Sequence, residues 1–297
     1  MILVVGATGM VGSEVCERLA SKGKKVGALV RPTADAAKVK KLEALGVELL
    51  PGDLREPATL EAACRHADVV VATASAVPFT YEAGVNDIQT TDLTGLRRLI
   101  ATARSASVKQ FVYMSFSGSI NIAFPLQKAK RIVEHELKQS GLTYTILRPS
   151  YFMEAWLAPA MGFDPANAKA TIYGIGAKRV SYISYHDVAA FVVRSLEVPA
   201  AKNATLELGG PQAVSQLQAV EIFEHAAHCR FDVRFVPEPL LEQRQQAAAS
   251  DPLQQSATGL MRCLAHGDAI DMHKMRKAFP VRLTSVKDYA ASCMIAA

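Results

Sequence analysis

Gly6-Ala7-Thr8-Gly9-Met10-Val11-Gly12 is the stretch whose reading decides the fold of this chain. It follows a short apolar run, Ile2–Val5, and opens an amphipathic run, Val11–Lys22. Glycines spaced three apart between a strand and a helix suit a phosphate-binding turn. Gly6 permits the tight turn, Gly9 lets a pyrophosphate approach the backbone, and Gly12 lets the helix pack close to the sheet. The helix N-terminus then offers free N–H groups and the positive end of a dipole to an anion. The expectation is a dinucleotide site at Gly6, Thr8, Gly9, Met10, Val11 and Gly12; the alternative is a turn that serves structure alone.

Outward from this loop, short apolar runs alternate with amphipathic ones. The strand-like runs are Ile2–Val5, Lys25–Val30, Val47–Leu50, Asp68–Ala72, Gln110–Met114 and Thr143–Leu147. The helical ones are Val11–Lys22, Ala34–Leu45, Glu56–Cys64, Asp87–Ser105 and Leu126–Gln139. This alternation predicts βαβ units: an α/β fold with a doubly wound parallel sheet of Rossmann type. The pattern loosens after Arg148-Pro149. Thr171–Gly174, Tyr182–Ser184, Thr205–Leu208 and Phe231–Val236 read as short strands, and Asp187–Leu196 and Ser215–His228 as helices. The expected division is a nucleotide-binding core at 1–150 and a smaller C-terminal α/β substrate-side part at 151–297, the chain crossing back to the core. Gln243–Gln255, rich in Gln and Ala, reads as a helix or a lid segment.

The end of the second strand selects the cofactor. An acidic residue roughly 20 positions past the loop would bond a ribose 2′-hydroxyl. Position 31, 19 residues past Gly12, is Arg31. Arginine cannot accept from a hydroxyl, but it pairs with a 2′-phosphate and stacks on adenine. NADP(H) is therefore expected over NAD(H). Asp53, before Leu54 at the end of the third strand, could accept from an adenine amino group or cap the next helix. Ala72, Thr73 and Ala74 end the fourth strand, and their small size leaves room for a cofactor to cross the sheet edge.

Composition closes off other classes. Half of the 297 residues are hydrophobic and 21% are charged, which excludes disorder and collagen-like repeats. The net charge of +5 is spread thinly, with no basic block interleaved with aromatics, so no nucleic-acid partner is expected. No apolar stretch approaches the ~20 residues of a membrane span, so no membrane association is expected. Ile2–Val5 is too short for a leader, so the chain reads as starting within its first strand. Five cysteines without a paired framework read as reduced thiols in a cytoplasmic setting. His225, His228 and Cys229 lack a further ligand at metal spacing, so no metal is expected. Asp187 reads as the N-cap of the helix it opens, and His186 as a structural histidine. Tyr151, Phe152, Met153 and Trp156 could form an apolar substrate wall or plain core.

Taken with Gly52-Asp53-Leu54, Phe111–Ser115, Lys130 with Glu134, Gly141–Pro149 with Phe152-Met153, Tyr182–Ala189 and Leu206–Pro211, the loop resembles the short-chain dehydrogenase/reductase superfamily. Within it the chain resembles the atypical NmrA-like, NAD(P)H-binding branch. The resemblance implies a Rossmann-type core and a bound NAD(P)H. In catalytic members of the superfamily a tyrosine four residues before a lysine exchanges the substrate proton, and a serine or threonine helps. The lysine lowers the tyrosine's pKa and bonds the nicotinamide ribose. Here Lys130 matches the lysine and Ser117 the helper, with Ser115 two residues earlier. The tyrosine position holds Leu126, which has no proton to give. Lys130 itself, Tyr151 or water are the remaining proton donors.

Three functions compete. The first is an NADPH-dependent reductase of an apolar carbonyl, enone or quinone, with Lys130, Ser117 and Tyr151 at its catalytic centre. The second is a redox sensor that reads NADP(H) without turnover and passes its state to a protein partner; Leu126 favours it. The third is an assembly factor that keeps the cofactor for stability alone.

Overall fold

Ile2–Val5 forms β1 as a run of branched apolar residues, and it sits near the middle of a seven-stranded sheet. The computed structural model describes residues 1–77 and 80–295. The other strands of this sheet are β2 (Val26–Val30), β3 (Glu48–Pro51), β4 (Val69–Ala72), β5 (Gln110–Met114), β6 (Tyr144–Pro149) and β10 (Ala204–Leu208). Their order is β10-β6-β5-β4-β1-β2-β3. Every pairing from β6 across to β3 is parallel. This is the doubly wound, Rossmann-type α/β arrangement that the alternation predicts.

Successive strand residues point to opposite faces, and here both faces are buried. Leu3, Val70, Phe111 and Ile146 enter a core cluster with Leu60, Leu96, Leu99, Val133 and Leu137. The alternate residues Val4, Ala28, Val71 and Val112 are buried as well. That is why these strands read as continuous apolar runs rather than alternating ones. The helices between them are α1 (Met10–Ser21), α2 (Ala36–Ala44), α3 (Pro57–Cys64), α4 (Leu96–Ser105) and α5 (Pro125–Gln139).

The chain divides into two compact units. The first holds Met1–Ser115, Lys128–Leu147 and Val188–Leu206; the second holds Phe116–Gln127, Arg148–Asp187 and Glu207–Ala297. The chain passes from one to the other after Ser115, Gln127, Leu147, Asp187 and Leu206. In the second unit β8 (Lys169–Tyr173) pairs antiparallel with β7 (Phe163–Asp164) and parallel with β12 (Asp232–Val236). A two-stranded ribbon pairs β9 (Arg179–Val180) with β11 (Val214–Ser215). Its helices are α6 (Met153–Trp156), α8 (Gln216–Ala227), α9 (Glu238–Ala247), α10 (Pro252–His266), α11 (His273–Ala278) and α12 (Val286–Ile295). Helix α7 (Tyr185–Ser195) passes from the second unit into the first.

Four local expectations are corrected. The helix expected over Asp87–Ser105 opens as a π-helix, Ile88–Gly95, before α4 begins. The wider turn places Ile88, Thr91, Asp92 and Gly95 on its buried side. Tyr182–Ser184 is not a strand; only Ile183 bridges, to Phe152, and the ladder lies at Arg179–Val180. Asp187 is not an N-cap, because α7 begins two residues earlier and the Ser184 hydroxyl accepts from the His186 N–H. The Asp187 carboxylate instead accepts from the Thr284 N–H at 2.6 Å and the Thr284 hydroxyl at 3.1 Å. Gln243–Gln255 is not one element: it covers the end of α9, a turn and the start of α10. Gln245 ties that region down, donating to the Ala123 carbonyl and accepting from Arg262.

The cysteines are unpaired thiols. Burial pushes Cys16 up to about 12 and Cys64 up to about 11, which keeps both as inert thiols.

Candidate cofactor site

In the first unit the site grows from the point where the strand order reverses. From β1 the chain winds to β2 and β3 on one side, and β4, β5 and β6 lie on the other. The connections that leave the C-terminal ends of β1 and β4 therefore run in opposite directions along the sheet, the kind of switch point at which ligands bind in open α/β sheets. Gly6 follows β1 and Thr73 follows β4.

The glycine loop is packed tightly everywhere except where a ligand would lie. Gly6 has a φ of +91°, and a Cβ there would fall 2.6 Å from the Ala74 amide nitrogen. At Gly12 a Cβ would fall 2.1 Å from the Gly6 carbonyl oxygen and 2.8 Å from the Thr73 hydroxyl. Gly12 thus fits the loop and Thr73, and the Gly9 N–H closes the turn by donating to the Gly6 carbonyl at 3.0 Å. Gly9 differs. It is exposed, and only the Gly6 carbonyl, at 3.2 Å, lies near its missing Cβ. Gly9 caps α1 with no side-chain bond, and no acidic residue stands in the first turn. The result is a shallow cradle beside unpaired amides and a positive helix end, which fits a pyrophosphate.

Arg31 follows β2 and has no ion-pair partner among the described residues. Its charge helps to hold Asp53 down. The Asp53 carboxylate is largely engaged, by Arg55 Nε at 3.0 Å, Arg55 Nη2 at 2.9 Å and the Arg55 amide at 2.8 Å. Burial would raise Asp53, but the Arg55 bonds and both guanidinium charges outweigh it and leave the carboxyl below the usual aspartate range. Asp53 does not cap α3, whose cap is Glu56. Leu54 is buried against Gly95. Ala72 ends β4 inside the core, and Thr73 reaches back to β1 by donating its amide to the Val5 carbonyl.

Lys130 stands on α5 and is 5% exposed. Its ammonium lies 3.3 Å from Asp92 Oδ1, and Asp92 is wholly buried. Asp92 Oδ2 accepts from the Ala76 amide at 3.0 Å. Lys130 also donates to the Met114 carbonyl at 3.4 Å and lies 5.5 Å from the centre of the Tyr113 ring. Burying a lysine among a carboxylate, a carbonyl and an aromatic face holds its ammonium at a defined point. One turn further on, buried Glu134 accepts from Ser115 Oγ at 2.5 Å and from Arg131 at 2.6 Å. Ser115 is thus engaged. One turn earlier, Leu126 is buried and carries no hydroxyl.

In the second unit Ser117 is 1% exposed and its Oγ donates to Asp268 Oδ1 at 2.7 Å. Tyr151 is also buried, edge-on to Trp156 with ring centres 4.8 Å apart, and its hydroxyl donates to the Leu260 carbonyl. Burial pushes that phenol well above its usual range. Sequence reading missed two buried carboxylates, Asp92 and Asp268. Asp92 left a faint signal, as an acidic residue among positions 88, 91 and 95 that share a helical face. Asp268 left none.

The sequence profile of the family described as NAD(P)H-binding matches residues 6–199. The chain belongs to the NAD(P)H-binding family. It is 34% identical over 265 residues to an NAD(P)H azoreductase of Xenophilus azovorans, covering 88% of this chain and 85% of that one. It is 30% identical over 251 residues to the photosystem II assembly factor Ycf39 of Trieres chinensis, covering 81% and 73%. Its fold is that of the NADPH-dependent quinone oxidoreductase QOR2 of Escherichia coli, solved with NADPH, at a TM-score of 0.77, 22% identity and coverage of 99% and 100%. The NmrA-like resemblance within the short-chain dehydrogenase/reductase superfamily is borne out. For this NAD(P)H-binding chain, no helix among the described residues is long and apolar enough to cross a membrane.

Proposed function

We propose that the protein is an NADPH-dependent reductase of an apolar carbonyl, enone or quinone. The observation that carries the reading is the Lys130 ammonium, buried and held by a wholly buried Asp92 on a π-helix. A buried charge is costly unless it is paired, so a lysine held in this way is a candidate functional group. The first-turn amides of α1 hold the pyrophosphate at Gly9. Arg31 pairs with the 2′-phosphate, and Lys130 bonds the nicotinamide ribose. Ser117 positions the substrate oxygen. When bound, the reduced nicotinamide supplies the hydride. Relatives named as an azoreductase and a quinone oxidoreductase support the class of reaction.

A second reading is a sensor or assembly factor that binds NADP(H) without turnover. Leu126 favours it, since the turn before Lys130 offers no acid, and so does the likeness to Ycf39.

The test is NADPH oxidation against a panel of quinones, enones and aldehydes, with NADH as control. Turnover that prefers NADPH is the expected result. Saturable NADPH binding with no turnover on any acceptor would transfer the reading to the sensor. Arg31→Ala is expected to weaken NADPH binding roughly 10- to 100-fold, the worth of a charge-assisted phosphate contact. NADH affinity should stay within about threefold, because NADH lacks that phosphate. Equal losses for both cofactors, read by fluorescence titration, would remove Arg31 from the phosphate site.

A further inference from the structure

Helix α11 and the turn after it carry more positive charge than packing explains. From Asp271 to Asp288 the chain holds Lys274, Arg276, Lys277, Arg282 and Lys287 against those two acids alone. His273, Arg276, Lys277 and Arg282, with Pro280 and Val281, line a cavity of about 450 Å³. All of them belong to the second unit.

The backbone that carries these side chains is anchored on both sides of the cavity. Met272 and Phe279 bracket α11, and both are buried. The Met272 sulfur accepts from the Gly209 N–H at 3.1 Å. After Phe279 the chain turns at once, the Val281 N–H donating to the Phe279 carbonyl at 2.8 Å. Thr284 ties down the far side, giving its N–H and its hydroxyl to the Asp187 carboxylate. Val286 then buries the start of α12.

The cations on this frame lack partners. His273, Arg276, Lys277 and Arg282 are exposed, and none of their side chains forms an ion pair or a hydrogen bond among the described residues. The nearby acids are engaged elsewhere. Asp271 Oδ1 accepts from the His273 N–H at 2.9 Å. Asp288 feels the charge of Arg282, but its Oδ2 accepts from the Ser285 N–H at 3.0 Å and the Ser285 hydroxyl at 2.7 Å. Other arginines of the unit do find carboxylates: Arg230 pairs Glu224 at 2.7 Å, and Arg262 pairs Glu242 at 3.1 Å. Positions 273, 276 and 277 are three and four apart on α11, so they share one face, where like charges repel. The negative end of a helix favours Arg276 and Lys277 in the last turn. It does not account for His273 in the first turn or for Arg282 beyond the helix.

We infer that this cavity binds a compact phosphate ester carrying at least two negative charges. Guanidinium forks match phosphate oxygens two at a time, a lysine adds a point charge, and an imidazole offers a further N–H. The volume falls in the range of small-molecule sites, ~300–1,000 Å³, and exceeds the needs of a single ion. A nucleic-acid strand needs a longer cationic track with aromatic platforms for its bases. No aromatic side chain lines this cavity among the described residues. The proposal does not rest on the reductase reading.

The test is calorimetric titration of the full chain with inorganic pyrophosphate. NADPH is held at saturation, so that the glycine cradle and Arg31 are already occupied. Saturable binding of one pyrophosphate per chain is the expected result. Arg276→Gln with Arg282→Gln should weaken it at least about 10-fold, the worth of a charge-assisted contact. Arg282→Gln alone should cost at least about threefold, and it carries this arm should the double variant fail to fold. Lys24→Gln with Lys202→Gln removes the same charge from exposed positions outside the unit. It should leave the affinity within about twofold. A phosphate ester in solution and a phosphorylated lipid headgroup share this chemistry. Sedimentation of the chain with phosphatidylcholine vesicles carrying phosphatidylinositol bisphosphate, reversed by pyrophosphate, would make the headgroup the source; no sedimentation would make it a free ester. Absence of saturable pyrophosphate binding would overturn the proposal. So would equal losses in the arginine and lysine variants, which would reduce the binding to attraction by overall charge. NADPH oxidation is not the readout, so neither result touches the reductase reading.

Discussion

Gly12→Ala will abolish tight NAD(P)H binding while leaving the chain folded. The added Cβ would stand 2.1 Å from the Gly6 carbonyl oxygen and 2.7 Å from its carbon. Both are backbone atoms, so no flexible side chain can swing away. Gly6 is itself close-packed, since a Cβ on it would stand 2.6 Å from the Ala74 amide nitrogen. The turn must open instead, and the Gly9-to-Gly6 hydrogen bond that closes it is lost. The first-turn amides of α1 then no longer converge on the cradle at Gly9. Affinity for NADPH should fall at least about 100-fold, which is about 2.8 kcal/mol. Far-ultraviolet circular dichroism should be preserved, since α1 keeps its buried Val15, Cys16 and Leu19. A dissociation constant within about threefold of wild type would show that the loop tolerates the shift.

The second large effect is expected at Asp92. Asp92→Ala leaves the Lys130 ammonium buried with its nearest carboxylate gone, and leaves the Ala76 amide without its acceptor. Breaking a buried pair from one side costs about 3–5 kcal/mol, because the remaining charge stays desolvated. For a chain of this size that is a fall in melting temperature on the order of 10 °C. Replacing both members, Asp92→Leu with Lys130→Met, should recover most of the loss, since apolar side chains of similar volume need no partner. The double variant then separates stability from function. It should fold and yet lose at least about 100-fold in turnover, as a misplaced nicotinamide ribose would cause. A single Asp92→Ala variant melting within about 2 °C of wild type would mean that Lys130 relaxes to water and is not held.

Much of this was legible along the chain. β5 was read at its observed bounds, Gln110–Met114, because a strand buried on both faces is a plain apolar run. The glycine loop was legible because its constraint is local: Gly6 and Gly12, near each other in sequence, must lack a Cβ for steric reasons. Arg31 was legible by distance from Gly12, because the loop, α1 and β2 follow one another with short links. The π-helix at Ile88–Gly95 was not legible, since its apolar spacing differs little from that of an α-helix over two turns. Nor was the cap of α7, read at Asp187: the Ser184 hydroxyl accepts from the His186 N–H, and Thr284, 97 residues away, claims the Asp187 carboxylate.

Ser115 and Ser117 show where sequence reading stops. Two residues apart and alike in type, they have opposite fates. Ser115 is tied to Glu134 in the first unit, and Ser117 donates to Asp268 in the second. Nothing local distinguishes them. The sequence by itself determined a doubly wound sheet, a glycine turn between β1 and α1 and a cation at the end of β2. These follow from side-chain period and from the sterics of neighbouring residues. Only the tertiary structure decided which charges are stripped of water and what faces them. Asp92 meets Lys130, and Asp268 meets Ser117 across 151 residues of chain. Burial depends on every element packed around a group, so its effect on a proton or an ion pair is a property of the fold and not of any stretch of sequence.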